Sequence, residues 1–172
     1  MLVTTSSEFQ NDDRLVTTAL QALADEPVHV VATLPSGDPG AFAARPNAHV
    51  LPFTPHGPLL RRAACAITHG GMGATQKALA AGVPVCAVPF GRDQLEVARR
   101  VTVAGAGTRL NAARLRPDRL RDRVRAAMGM SEGAQRIAAA FKAAGGANAG
   151  ANALERLLGA RRSDRPASGG HR

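Results

Sequence analysis

Two periods of hydrophobic residues alternate along the chain, and the switches between them predict its elements. Short apolar or β-branched runs read as strands at Leu2–Thr5, Val28–Leu34, His49–Phe53, Ala63–Thr68, Val83–Val88 and Gly105–Leu110. Between them the apolar positions take helical spacing. Leu15, Ala19, Leu20 and Leu23 do so up to Ala24, Leu59 and Leu60 sit in a short helix, and longer helices run over Gln76–Ala81 and Leu95–Val103. Asp12 and Asp13 stand where an N-cap is expected, and Gly82 stands where a helix ends. From Pro117 onward the pattern is helical throughout. Leu120, Val124, Ala127 and Met128 share one face, a second helix covers about Glu132–Ala144, and Gly145-Gly146 breaks it. Ala151, Leu154, Leu157 and Leu158 make a last amphipathic helix.

Strands alternating with helices predict an α/β fold with a doubly wound parallel sheet, Rossmann-like, of about six strands. The domain is expected over residues 1–160. Residues 161–172, rich in Arg, Ser, Gly and Pro, read as a disordered tail. In such a sheet, ligands bind outside the carboxyl ends of the strands. Four loops hold that place: Thr5–Asn11, Phe53–Pro58, Thr68–Ala74 and Pro89–Gln94.

The third of these loops carries the strongest local signal. His69-Gly70-Gly71-Met72-Gly73-Ala74 joins an apolar strand to a helix. Glycines there let the backbone turn tightly and approach a ligand, and the helix start adds free N–H groups and a positive dipole end. That combination suits an anion, most often a phosphate. A plain turn would need only one glycine.

Composition narrows the classes. Hydrophobic residues make up 45% of the chain, enough for a core, yet aromatics make up 3% with no Trp or Tyr. That argues against modules that stack single-stranded nucleic acid on aromatic rings. The net charge of +9 is nearly all arginine, Lys77 and Lys142 being the only lysines. Seven arginines between Arg109 and Arg125 are interspersed with Asp118 and Asp122, which reads as a solvated helix face and not as a nucleic-acid site. Cys65 and Cys86 each sit in an apolar run without a second Cys or His at ligand spacing, so both read as core residues and neither metal nor cofactor is expected. No run approaches the roughly 18 apolar residues of a membrane span, and the first residues lack the basic and apolar regions of a signal peptide. A cytoplasmic protein is expected.

In order and spacing, Phe53-Thr54-Pro55-His56, Ala66-Ile67-Thr68-His69-Gly70-Gly71-Met72-Gly73, Ala78-Leu79-Ala80-Ala81-Gly82-Val83-Pro84, Pro89-Phe90 and Asp93-Gln94 resemble one family. It is the C-terminal, donor-binding domain of GT-B family 1 glycosyltransferases of the actinobacterial, erythromycin-pathway type. The likeness covers roughly residues 1 to 157 by these ordered motifs.

The resemblance implies a nucleotide sugar, UDP- or TDP-linked, as ligand. It implies that His69, Gly70, Gly71, Met72, Gly73 and Ala74 hold the donor diphosphate, with Ser6 and Ser7 on the phosphate side of the first turn. Phe53 and Thr54 would meet the base, and Asp93 and Gln94 the hydroxyls of the donor sugar. Three readings compete from the residues themselves. His69 could be a strand-end histidine bonded to backbone, Phe53 a core ring, and Asp93 a helix cap. Two positions depart from the family. Lys77 stands where a glutamate usually binds the ribose, and a lysine accepts no hydrogen bond. Ser6 stands where a glycine is usual.

The family's acceptor-binding domain, with its histidine base, has no counterpart in these residues. His29, His49, His56 and His171 match no such base. The catalytic base and the acceptor site are therefore expected on another domain or subunit. A dinucleotide-dependent oxidoreductase is disfavoured, because its glycine fingerprint belongs after the first strand, where this chain has Thr5-Ser6-Ser7.

Overall fold

The structure is a computed structural model and describes residues 1–8, 11–43 and 45–163. Its strands are β1 Leu2–Thr4, β2 Val30–Thr33, β3 Ala48–Leu51, β4 Ala66–Thr68, β5 Val85–Ala87 and β6 Gly107–Arg109. Its helices are α1 Arg14–Ala22, α2 His56–Leu60, α3 Met72–Ala80, α4 Gln94–Val103, α5 Pro117–Met128, α6 Ser131–Ala143 and α7 Gly146–Ser163.

All six strands form one sheet in the order β3-β2-β1-β4-β5-β6, and every pairing is parallel. Order reverses between β1 and β4. That is the switch point, where the loops leaving two neighbouring strands diverge and open a crevice.

Alternate residues of each strand face opposite sides, and two cores result. Val3, Ile67 and Cys86 pack with Leu15, Val16 and Ala19 of α1 and with Leu120 and Val124 of α5. Leu2, Ala66, Val85 and Ala87 pack on the other face with Ala78 and Leu79 of α3 and Ala98 and Val101 of α4. Both cysteines are buried and free, one strand apart in the first core. Burial pushes the Cys86 thiol up to about 11, and the Cys65 thiol further in the same direction. They behave as small apolar residues.

The strands are shorter than the apolar runs that predict them, because a run marks burial and pairing covers only part of it. The helix after the glycine loop is longer. It starts at Met72 and not at Gln76, since Gly71 already occupies the N-cap with extended backbone and Thr75 N–H donates to its carbonyl at 3.1 Å. Gly73 is tolerated in that first turn despite a helix propensity about 1 kcal/mol below alanine. Asp13 holds the N-cap position of α1 but makes no capping bond through its side chain. On α5, Leu120, Val124 and Ala127 are buried as expected, whereas Met128 is left half-exposed at the helix end. The arginines of this region point outward, and Arg125 pairs with Glu26 at 2.6 Å.

Two compact units divide the chain, residues 1–138 and residues 139–172. The first holds the whole sheet. In the second, α7 carries Leu154, Leu157 and Leu158 exposed. Residues 161–163 of the expected tail belong to this helix, and the rest of the tail lies outside the described residues. No helix among the described residues is long and apolar enough to cross a membrane.

Candidate functional site

The switch point opens into a cleft of about 410 Å³. Thr4, Thr5 and Thr33 line it, and Thr4 and Thr33 belong to a row of threonines that crosses three strands. Thr4 of β1 is in register with Thr33 of β2 on one side and Thr68 of β4 on the other. Thr33 Oγ1 donates to Thr4 Oγ1 at 3.0 Å and lies 3.0 Å from His56 Nε2. Thr68 Oγ1 accepts from the Gly70 N–H at 3.0 Å. This row was not legible in the sequence, since it exists only once strand order and register are known.

One wall is the start of α3. Gly70 takes φ 85°, a left-handed conformation that favours glycine. Gly71 is needed for a different reason. Its backbone is ordinary, but a Cβ there would overlap His69 Nε2. The His69 ring is thus folded over the N-cap of α3. No side chain caps this helix and no acidic residue sits in its first turn, so its leading N–H groups face the cleft unneutralised. Gly73 and Ala74 line the cleft; a Cβ on Gly73 would meet nothing within 4 Å. Gly70 and Met72 shape the turn without lining it.

His69 is 8% exposed, and its Nδ1 is buried without a hydrogen-bond partner among the described residues. Burial holds its pKa below the usual imidazole value, while Asp12, the Thr4 carbonyl and Asp93 pull it back toward protonation. The ring thus bears on the Thr4 backbone, as the structural reading of this histidine expects, and leaves Nδ1 without a partner among the described residues.

The loop after β1 forms the opposite wall. Ser6 and Ser7 both line the cleft. The Ser6 N–H is already committed, donating at 2.7 Å to the carboxylate of Asp12, which is 3% exposed. Ser6 Oγ accepts from the Glu8 N–H at 3.1 Å, so its own O–H remains as the group it can offer. Sequence reading placed Asp12 among N-cap residues. Its side chain instead ties down the β1 loop and bears electrostatically on His69.

Phe53, Thr54, Pro55 and His56 close the cleft from the β3 side, with Lys77 of α3 facing them. Phe53 is 74% exposed, which removes its reading as a core ring. His56 was assigned no role from sequence. Its position at the first residue of α2 puts it in the cleft, where burial and then the Lys77 charge lower its pKa.

Asp93 and Gln94 lie at the head of α4, after β5, and do not line this cleft. Asp93 is exposed and makes no side-chain capping bond, so the cap reading fails. Gln94 is 2% exposed, and its Oε1 accepts from the Phe90 N–H at 2.8 Å and the Gly91 N–H at 3.2 Å. These bonds hold the β5–α4 loop, and the backbone and Cβ of Gln94 lie against Gly70. Arg92, at φ 55°, reaches from that loop to Glu8 of the β1 loop at 2.8 Å. The Arg14 guanidinium, at the start of α1, stacks over the Phe90 ring at 5.0 Å and ties that helix to the β5–α4 loop. Among the described residues no group of three or more His, Cys, Asp or Glu is placed to hold a metal ion.

A parallel six-stranded sheet in this order, with its cleft at the β1/β4 switch point, defines a Rossmann-like α/β domain of the kind that forms the C-terminal half of GT-B proteins. Within that class the chain belongs to the family of the erythromycin biosynthesis protein CIII-like C-terminal domain, whose model matches residues 17–154. It is 39% identical over 127 residues to 4'-demethylrebeccamycin synthase of Lentzea aerocolonigenes, covering 73% of this chain and 30% of that protein. It is 35% identical over 130 residues to a PGL/p-HBAD biosynthesis glycosyltransferase of Mycobacterium tuberculosis, covering 74% of this chain and 30% of that one. The structure of CalG4, the calicheamicin glycosyltransferase, superposes with a TM-score of 0.86 at 30% identity over 95% of this chain and 44% of that one. The glycosyltransferase VinC, solved in complex with DTDP, gives a TM-score of 0.70 at 28% identity, covering 83% of this chain and 37% of that one. The chain thus spans about a third of the length of the curated relatives it matches.

Proposed function

We propose that this chain is the donor-binding part of a hexosyltransferase. It binds a UDP- or TDP-sugar whose hexosyl group passes to a hydroxyl of a small-molecule or lipid acceptor. The observation that carries this reading is the uncapped start of α3 with His69 folded across it, opening into a cleft that no Asp or Glu lines among the described residues. A diphosphate placed there would accept hydrogen bonds from helix N–H groups and from His69. Negative charge grows on the leaving diphosphate as the glycosidic bond breaks, and the same donors would stabilise it without reorganising. Thr54 and the exposed Phe53 offer a backbone edge and a ring face to a base.

Activation of the acceptor belongs elsewhere. Among the described residues neither His56 Nε2 nor His69 Nδ1 is hydrogen-bonded to a carboxylate, which argues against an oriented general base in this cleft. The acceptor-binding domain would supply that base, on the same polypeptide or on a partner. The missing base also fits a protein that binds nucleotide sugars without turnover. Transfer of sugar on mixing the chain with an acceptor-binding domain would decide for the enzyme, and no transfer across a broad acceptor panel for the binding protein.

The direct test is calorimetric titration with UDP and TDP. Binding, with a melting temperature that rises with ligand concentration, is expected. Absence of heat and of any thermal shift with both would overturn the assignment.

A further inference from the structure

Lys77 lies on the face of α3 that carries Gly73 and Ala74, one turn further along, and all three line the cleft. Opposite stands His56, near enough to feel the lysine's charge. Among the described residues none that lines the cleft is acidic, and Lys77 has no ion-pair partner. The cleft therefore holds an uncompensated cation beside an uncapped helix start.

The two halves of a nucleotide meet this arrangement differently. A ribose hydroxyl gains most when it donates a hydrogen bond to a charged acceptor, and an ammonium offers donors only. The nearby Thr33 hydroxyl is already engaged with Thr4 and His56. Phosphate oxygens need donors and positive charge, and both Lys77 and α3 supply them. We infer that Lys77 makes the cleft select its ligand by phosphate charge and not by the ribose 2′-hydroxyl, so that ribonucleoside and 2′-deoxyribonucleoside diphosphates are accepted alike. The inference rests on the nucleotide reading above and specifies the class of donor.

The test is titration of the whole chain with UDP, with 2′-deoxyuridine diphosphate, which differs only in that hydroxyl, and with UMP. The two diphosphates should bind within about threefold of each other, and UMP about tenfold or more weakly. Lys77→Met should weaken both diphosphates by about tenfold at low salt and less at high salt, where screening already hides the charge. Lys77→Arg should restore binding. Lys77 is exposed, so melting temperatures of the unliganded variants serve as a check on folding. A preference for UDP over its deoxy analogue beyond about tenfold, or a Lys77→Met variant that binds like the parent at low salt, would overturn the inference while leaving the nucleotide site standing. Failure of both diphosphates to bind the parent chain would remove the nucleotide reading and this inference with it.

Discussion

The imidazole of His69 occupies the space that a side chain on Gly71 would need. The two residues are a unit: the glycine is small so that the ring can lie across the start of α3. Gly71→Ala keeps an allowed backbone, with φ at −65° and ψ at 139°, but must push the ring off the helix start. It should weaken nucleoside diphosphate binding by about 1.5–3 kcal/mol, as should His69→Ala, since each removes a hydrogen bond to a charged group. Calorimetry on both variants checks this. Equal affinity in parent and variants would return His69 to a structural role.

Phe53 separates binding from stability. Because it is 74% exposed, Phe53→Ala should change unfolding free energy by no more than about 0.5 kcal/mol. Loss of a stacked base should cost about 1–3 kcal/mol of binding. Denaturant melts and titrations on one preparation measure both. A large stability loss with unchanged affinity would reverse the assignment.

Asp12 should show the opposite pattern. Its buried carboxylate is the acceptor for the Ser6 N–H, so Asp12→Ala strands a buried donor at a cost of about 1–3 kcal/mol. Asp12→Asn keeps an acceptor oxygen in place and should cost less. Urea denaturation of the three proteins gives the ranking; a neutral Asp12→Ala would mean the loop finds another partner.

Gln94→Ala should lower stability, because the Phe90 and Gly91 N–H groups lose their acceptor. The expected loss is about 1–3 kcal/mol. If Gln94 also touches the donor sugar, the variant should weaken a UDP-sugar more than UDP itself. A thermal melt and paired titrations separate the two effects.

The histidines set a pH signature. His69 and His56 are held below the usual imidazole value, chiefly by burial, so the unfolded chain takes up their protons more readily, near pH 6.5. Their contribution to stability is present above that pH and is lost as pH falls through it toward the folded-state values. Melting temperature should drop between about pH 7.5 and 5.5, and His69→Gln should make the drop shallower. A bound diphosphate favours the imidazolium, so binding should be accompanied by proton uptake, visible in buffers of different ionisation heat. Identical pH slopes in parent and variant would contradict the linkage.

Periodicity made the alternation of strands and helices legible, and the glycine loop with His69 pointed at once to the start of a helix. What it could not give was adjacency. Thr4, Thr33 and Thr68 look like unrelated strand residues until parallel register sets them in a row. His56 reads as a turn residue until α2 swings it toward Lys77. Local sequence also could not say where side chains would be spent. Asp12 looks like a cap and Gln94 like a sugar ligand, yet each first satisfies backbone N–H groups of a neighbouring loop. Buried polar groups must find partners, and that demand is settled by the tertiary structure.

The placing of β1 bears on how the chain assembles. It is the earliest strand described, yet it sits in the middle of the sheet, with one neighbour ending at Thr33 and the other at Thr68. During synthesis β1 must wait, its β4 edge unpaired, until the chain has grown past β4. The crevice between them cannot exist before then, so the binding cleft is acquired late, when the second half of the sheet closes onto the first.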